Sequence, residues 1–290
     1  MKVCGITFVR NARKYDYPVV ESIQSILPVC DKFIVCVGNS EDDTLSLIQS
    51  IDSDKIQILP SIWDDSLRKN GEVLAVETNK ALDAVPPEFD WVFYIQGDEV
   101  VHEKYLETIK ENMLKYKDDK QVEGLLFKYV HFYGSYNYIG NSRRWYRNEI
   151  RVVRNDRQIR SYKDAQGFRK NDGKLKVKPI EACVFHYGWV RPPQVMQNKT
   201  RSFHNLWHSD EWIQKNIANT ESYDYSHIDS LCLFKETHPK VMEERIKKAE
   251  WKFEFDVKQK KFNLKEWALY LFEKATGIRL FEYKNYEILK

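Results

Sequence analysis

The sequence predicts an α/β fold, a mostly parallel sheet with helices on both faces, extended at its C-terminus by further helices. In the first half, short apolar runs alternate with segments whose apolar residues recur at helical spacing, as in a parallel sheet covered on both sides. Polar clusters also fall directly after the apolar runs, at the edge where such sheets bind ligands. With 290 residues, of which 42% are apolar, the chain can bury one large domain with a modest extension, and wholesale disorder is excluded.

The first strand is the apolar run 3–9, after which Pro18 opens a helix carrying Val19, Val20, Ile23, Ile26 and Leu27. Residues 33–37 form a second β-rich run, followed by a polar turn and a helical stretch over 44–51. A third strand at 55–59 leads to a helix with Leu74, Ala75, Thr78 and Leu82. The fourth strand, 91–95, is the most apolar, and Leu106, Ile109 and Met113 follow at helical spacing. Residues 125–133 read as one more strand, and 134–180 are rich in Arg, Lys, Gly and Asn with short β stretches. Two helical stripes mark the final third, Met242, Ile246, Ala249 and Phe253, then Leu264, Trp267, Ala268, Leu271, Phe272 and Ala275. Asn263 with Glu266 suits a capping box for the second, and Gly277 a C-terminal stop.

A formal net charge of +3 is too balanced for nucleic acid to be the main partner. The 14% aromatic content suits sugar stacking as well as an ordinary core. Five cysteines are scattered without a CxxC pair, which fits reduced thiols and a cytoplasmic location. Arg10, Arg13 and Lys14 interrupt the first apolar stretch before it reaches signal-peptide length, and no run is long enough to span a membrane.

Chemistry concentrates after the fourth strand, in Gln96-Gly97-Asp98-Glu99. A strand running into acids sets hard oxygen ligands for a divalent cation at the ligand edge, with phosphate oxygens completing the shell. The alternative is that Asp98 caps a helix starting near Val101. Three other motifs lie in register with this one: Arg10-Asn11 after the first strand, Gly38-Asn39-Ser40-Glu41-Asp42-Asp43-Thr44 after the second, and the spacing Gly71, Ala75, Asn79. In that order they resemble the family-2 glycosyltransferases of the GT-A fold over roughly residues 1–190. Gly38 stands where the family's turn usually has an acid, and Gln96 replaces the first Asp of its Asp-x-Asp motif.

The resemblance implies a GT-A-like catalytic domain over 1–200, with a nucleotide-binding half at 1–120, an acceptor and metal half at 121–200, and a helical extension at 201–290. It implies a metal-dependent, inverting transfer of a sugar from a nucleotide diphosphate to a saccharide or lipid-linked acceptor hydroxyl, in surface or cell-envelope glycan synthesis. The cofactor would be Mn²⁺ or Mg²⁺, held by Asp98 and His186 with Glu99 as a further ligand. Arg10, Asn11, Asn39, Asp42, Asn79 and Gln96 would hold the nucleotide sugar. His186, in Phe185-His186-Tyr187-Gly188, is otherwise a core histidine. Asp164 is the expected general base and Glu149 its reserve, a turn residue being the alternative for Asp164. Of seven arginines in 143–160, Arg151 and Arg154 are expected to face the diphosphate. Tyr129, Phe132, Tyr133, Tyr136, Tyr138, Trp145 and Tyr146 offer a sugar-stacking wall or core. His204 and His208, spaced i, i+4, lack a third ligand nearby in sequence.

The tail stripes either pack on the catalytic domain or on a second subunit as a homodimer, which is the expectation, or rest on a membrane surface. Two other functions remain open. A nucleotidyltransferase making a nucleotide sugar would show a Gly-rich loop after the first strand, which Val9-Arg10-Asn11-Ala12-Arg13 lacks. A non-catalytic nucleotide-sugar-binding subunit would fit the two missing acids.

Overall fold

The computed structural model describes residues 1–217 and 220–290. The first half runs β1 (Val3–Val9), α1 (Val19–Ile26), β2 (Lys32–Gly38), α2 (Thr44–Gln49), β3 (Ile56–Ser61), α3 (Glu72–Asp83), β4 (Trp91–Tyr94), β5 (Glu99–Val101) and α4 (Leu106–Lys115). The middle is almost all strand: β6 (Gly124–Tyr133), β7 (Ser135–Gly140), β8 (Asn148–Arg154), β9 (Ile159–Tyr162), β10 (Gly167–Lys170), β11 (Gly173–Lys174) and the long β12 (Lys176–Trp189). The tail holds α5 (Pro193–Asn205), α6 (Asp210–Asn216), β13 (Leu231–Leu233), α7 (Glu243–Lys247), α8 (Leu264–Thr276) and β14 (Glu287–Ile288).

The α/β architecture agrees with the GT-A-like expectation. One sheet runs in the order β13-β7-β6-β8-β4-β1-β2-β3, with β12 beside β6 and bearing β5 and β14. Strands β3, β2, β1 and β4 are mutually parallel, and β8 turns the ladder antiparallel against both β4 and β6. A separate antiparallel sheet joins β9, β10 and β11.

Period-two alternation sorts the side chains of these strands onto two faces. Val3, Phe33, Val35, Trp91 and Phe93 pack with Val19, Ile23, Ile109 and Met113 from α1 and α4. Cys4, Ile6, Ile34, Cys36, Val92 and Tyr94 pack with Ala81 and Leu82 of α3 on the other face. Each large apolar side chain so buried stabilises the fold by roughly 1.5–3 kcal/mol.

The chain after Asp98 is not a helix start. It forms β5, whose antiparallel ladder with β12 sets Glu99 opposite His186. The tail also departs from an all-helical reading, since β13 pairs with β7 and β14 with β12. The stripe from Met242 to Phe253 is helical only in the five residues of α7 and in a preceding 3-10 turn. In α8 the Asn263–Glu266 capping box and the left-handed Gly277 end are both present. All five cysteines are free. No helix among the described residues is long and apolar enough to cross a membrane.

Candidate active site

A cleft of about 1030 Å³ lies where β1 and β4 end, and residues of α5 form part of its wall. At one end, Arg10 stacks on Trp63, with its guanidinium carbon 5.5 Å from the ring centroid, and reaches the Asn39 carbonyl and Asp65. Gly38 makes room for this indole: a Cβ there would stand 2.4 Å from Trp63 Nε1. The indole N–H is buried without a hydrogen-bond partner among the described residues. Asn11, in the left-handed region at φ 56°, accepts the Glu41 amide at 2.8 Å.

The neighbouring turn residues serve the scaffold. Asp42 accepts the backbone N–H groups of Lys14 and Thr44, tying the β1 loop to the start of α2. Burial raises the Asp42 carboxyl, but these bonds and the Thr44 hydroxyl more than offset it and hold the carboxyl below its ordinary value. Asn79 exchanges two hydrogen bonds with the Ser161 backbone, pinning β9 to α3. Asn39 accepts the Trp63 amide. None of these three lines the cleft, whereas Arg10, Asn11 and Gln96 do.

At the other end the β5–β12 pairing brings Asp98 and His186 together across the cleft floor, Oδ1 to Nε2 3.8 Å. His131 fixes the tautomer of His186. Burial drives His131 neutral, and its Nε2 faces the Tyr146 carbonyl at 2.8 Å, so Nε2 carries the proton and Nδ1 is left to accept. His186 Nδ1, 3.1 Å away, must donate to it. Burial lowers the His186 pKa too, with Asp98 opposing, and the Nε2 lone pair of the neutral ring faces the carboxylate.

Asp98 and His186 are the two side chains here that could hold a divalent cation. Ligands roughly 2.1 Å from one ion can span such a pair after a small side-chain adjustment. Gly188 keeps the space open, because a Cβ there would lie 2.4 Å from His186 Nε2 and 3.1 Å from Asp98 Oδ2. Among the described residues no cluster of three or more His, Cys, Asp or Glu is disposed to hold a metal. Phosphate oxygens or water would therefore have to complete the shell.

Glu99 is already engaged. Its carboxylate takes a two-pronged bond from Arg151, 2.7 Å on each oxygen, and accepts from Tyr129 and the Gln96 amide. Glu99 and Arg151 are fully buried, so neither is free to meet metal or diphosphate. Arg154 lies at the opposite end of β8, donating to the carbonyls of Tyr116, Lys117 and Val122. None of the seven arginines of 143–160 lines the cleft.

The cations that face Asp98 come instead from the chain beyond β12. Lys199 Nζ is 3.1 Å from Asp98 Oδ2, and the fully buried Arg191 is 3.6 Å from it. Burial alone would raise the Asp98 carboxyl; Lys199, with Arg191 behind it, overcomes this and holds it well below the usual carboxylate range. Burial, helped by Arg191, brings the Lys199 ammonium down to about 8. Sequence reasoning missed Lys199, Arg191 and Trp63, none of which sits in a motif.

Asp164 lines the cleft, flanked by Lys163 and Ala165 at φ 53° and 58°. Two left-handed non-glycine residues separated by a single residue are uncommon and mark a constrained turn. Gly71, itself at φ 66°, lets the turn close in, since a Cβ on it would meet Asp164 Cα at 3.2 Å. Burial raises the Asp164 carboxyl, as suits a base. Gln96 bonds the Tyr94 hydroxyl and the Ala165 carbonyl, closing this side.

The reserve base Glu149 is buried off the cleft beneath Gln166, whose amide donates to it at 2.8 Å. Burial pushes its carboxyl up from 4.5 to about 7. Between those values the folded chain keeps a proton that the unfolded chain has released, so stability falls as pH rises through the window, by roughly 3 kcal/mol. Glu149→Gln is expected to flatten this slope in urea unfolding between pH 5 and 7.5. An unchanged slope would count against the buried acid.

Of the aromatic residues proposed as a stacking wall, only Tyr146 lines the cleft. Phe132 and Tyr136 pack with Tyr187, while Tyr133, Tyr138 and Trp145 join Tyr225 and Phe253 in a separate cluster. His204 and His208 stack with each other and with Trp212.

No family model matches the chain, and no curated protein matches it. Solved structures that resemble it in part include Staphylococcus aureus TarS, at 15% identity and TM-score 0.39 over 70% of this chain and 39% of that one. Mycobacterium tuberculosis glucosyl-3-phosphoglycerate synthase, in complex with Mn²⁺, UDP and phosphoglyceric acid, aligns at 16% identity and TM-score 0.30, covering 45% of this chain and 43% of that one. The 4-diphosphocytidyl-2C-methyl-D-erythritol synthase of Anaerococcus prevotii aligns at 12% identity and TM-score 0.34, covering 53% and 70%. Each is a partial likeness of fold, and the match with TarS spans well under half of that protein.

Proposed function

We propose that this chain is an inverting glycosyltransferase that moves a sugar from a nucleotide diphosphate to an acceptor hydroxyl. The observation that carries the reading is the convergence, on one cleft, of an acid ringed by cations and a constrained carboxylate of raised pKa. Trp63 and Arg10 give a flat wall for the base. Lys199, which lines the cleft beside Asp98, is close enough to share the charge of a diphosphate bound there. Asp98 and His186 would hold a divalent cation, which when bound supplies Lewis-acid neutralisation of the leaving group.

In the reaction the acceptor oxygen attacks the anomeric carbon from the face opposite the diphosphate. Asp164 takes the hydroxyl proton, the new C–O bond forms as the bond to the phosphate oxygen breaks, and the nucleoside diphosphate leaves with the electron pair. A single displacement inverts the anomeric centre. Synthesis of a surface or envelope glycan would suit such a step.

A panel of nucleotide sugars in thermal unfolding, with and without Mn²⁺, tests the reading. One donor is expected to raise the melting temperature, because a ligand that binds only the native state stabilises it. Asp164→Asn should keep that rise while slowing donor hydrolysis by roughly 10²-fold or more. No shift with any nucleotide sugar would sink the proposal, and full activity in Asp164→Asn would move the base. Pyrophosphate release from a nucleoside triphosphate and a sugar phosphate would point to nucleotidyl transfer instead.

A further inference from the structure

Helix α8 keeps Trp267, Leu269, Tyr270 and Glu273 partly buried and leaves its other residues exposed. Successive positions turn by about 100°, so Leu264, Ala268, Leu271 and Ala275 share one stripe, with Phe272 beside it. Lys265 and Lys274 fall on the two sides of that stripe, and Glu266 and Glu273 lie opposite. Glu273 faces inward, where it meets Arg143 at 2.7 Å and Arg279 at 2.9 Å. The apolar stripe faces out: α8 buries no residue, Leu264 is 90% exposed and Leu271 54%.

The outward apolar surface continues past the helix. Gly277 turns the chain, and Phe281, held at φ 58°, is 89% exposed. Among the described residues, eight of the fifteen exposed large apolar side chains fall between 264 and 288, a concentration at this end of the chain rather than ordinary scatter.

Its charge leans basic, with the exposed Glu287 at its edge. Glu282 is taken by Arg147 and Glu273 by Arg143 and Arg279, while Glu266 closes the capping box. The exposed lysines Lys265, Lys274 and Lys284 have no ion-pair partner among the described residues. An apolar stripe edged by unpaired lysines complements a surface that is oily within and anionic at its headgroups. A second copy of the same face would instead set these lysines against one another.

We propose that α8 and the turn after it dock on an anionic lipid bilayer. The stripe enters the headgroup–acyl boundary, and Lys265, Lys274 and Lys284 meet the headgroups. The helix is also fixed to the cleft, because Arg279 donates to the Trp145 carbonyl at 2.7 Å and the next residue, Tyr146, lines the cleft. Lipid binding by this face requires nothing of the cleft chemistry.

Co-sedimentation of the full chain with vesicles tests the proposal. It should bind vesicles of mixed phosphatidylglycerol and phosphatidylcholine, bind phosphatidylcholine alone weakly, and lose binding as salt rises. Leu271→Glu should abolish sedimentation, and Lys265→Gln with Lys274→Gln should weaken it roughly tenfold or more. All three positions are exposed, so circular dichroism and the melting temperature should not change. No binding to anionic vesicles, equal binding to both kinds, or binding unaffected by Leu271→Glu would overturn the proposal. A dimer in solution that Leu271→Glu splits would overturn it as well, by assigning the face to a second copy.

Discussion

Asp98→Asn is expected to slow donor turnover by about 10³-fold, the scale of losing a central electrostatic contact in a water-poor site. The substitution keeps the side chain's shape and removes its charge. It also leaves Lys199 and the buried Arg191 facing each other without a counter-ion, so stability should fall by a few kcal/mol, roughly 2–4. The two effects can be separated. Asp98→Asn combined with Lys199→Met removes one of the stranded cations and should recover part of the stability without recovering turnover. Urea unfolding and donor hydrolysis on the two variants read these quantities independently. Asp98→Asn should change the acid limb of stability too. The folded carboxyl lies below its ordinary range, so its contribution is complete above about pH 4 and fades as acid is added; the variant should lack that decline. A turnover near that of the unaltered chain would remove Asp98 from the centre of the site.

The sequence made the sheet legible because each core strand sits between two helical layers and so reads as an unbroken apolar run. Asp98 was visible for the same reason, as the acid that ends the most apolar run. His186 was visible as a polar residue near the end of another. Their meeting depends on β5 lying antiparallel to β12, and a three-residue strand carries too little periodicity to announce that. The arginine cluster misled for a related reason. A guanidinium takes its role from what lies opposite it, and the partners are distant in sequence: Glu273 for Arg143, Glu282 for Arg147, Glu99 for Arg151. Lys199 looks like any basic residue on the polar side of a helix until Pro192 and Arg191 set the direction of α5 against the cleft floor. The strands β13 and β14, three and two residues long, were hidden in the same way as β5.

The largest stability effect is expected at Arg151. Its guanidinium lies between the rings of Tyr94 and Tyr129, at 5.2 and 5.3 Å, and bonds both oxygens of Glu99 as well as the Gln166 carbonyl. Arg151→Met keeps most of the volume but strands the Glu99 carboxylate in a fully buried position, with only the Tyr129 hydroxyl and the Gln96 amide left to it. Breaking a buried pair from one side costs about 3–5 kcal/mol, and in a chain of this size that lowers the melting temperature by roughly 10 °C. Glu99→Leu with Arg151→Met leaves no buried charge and should regain much of the loss. Turnover should stay low in the double variant, because Glu99 also holds the turn that presents Asp98: its carboxylate accepts the Gln96 amide at 3.1 Å, and its strand pairs with the one bearing His186. The pair therefore acts on chemistry by positioning, and the separation of recovered stability from unrecovered turnover is the signature that a merely structural ion pair would not give. If Arg151→Met costs less than about 1 kcal/mol, the pair behaves as a solvated surface bridge, and the tether it provides to the Asp98 turn must come from the backbone ladder alone.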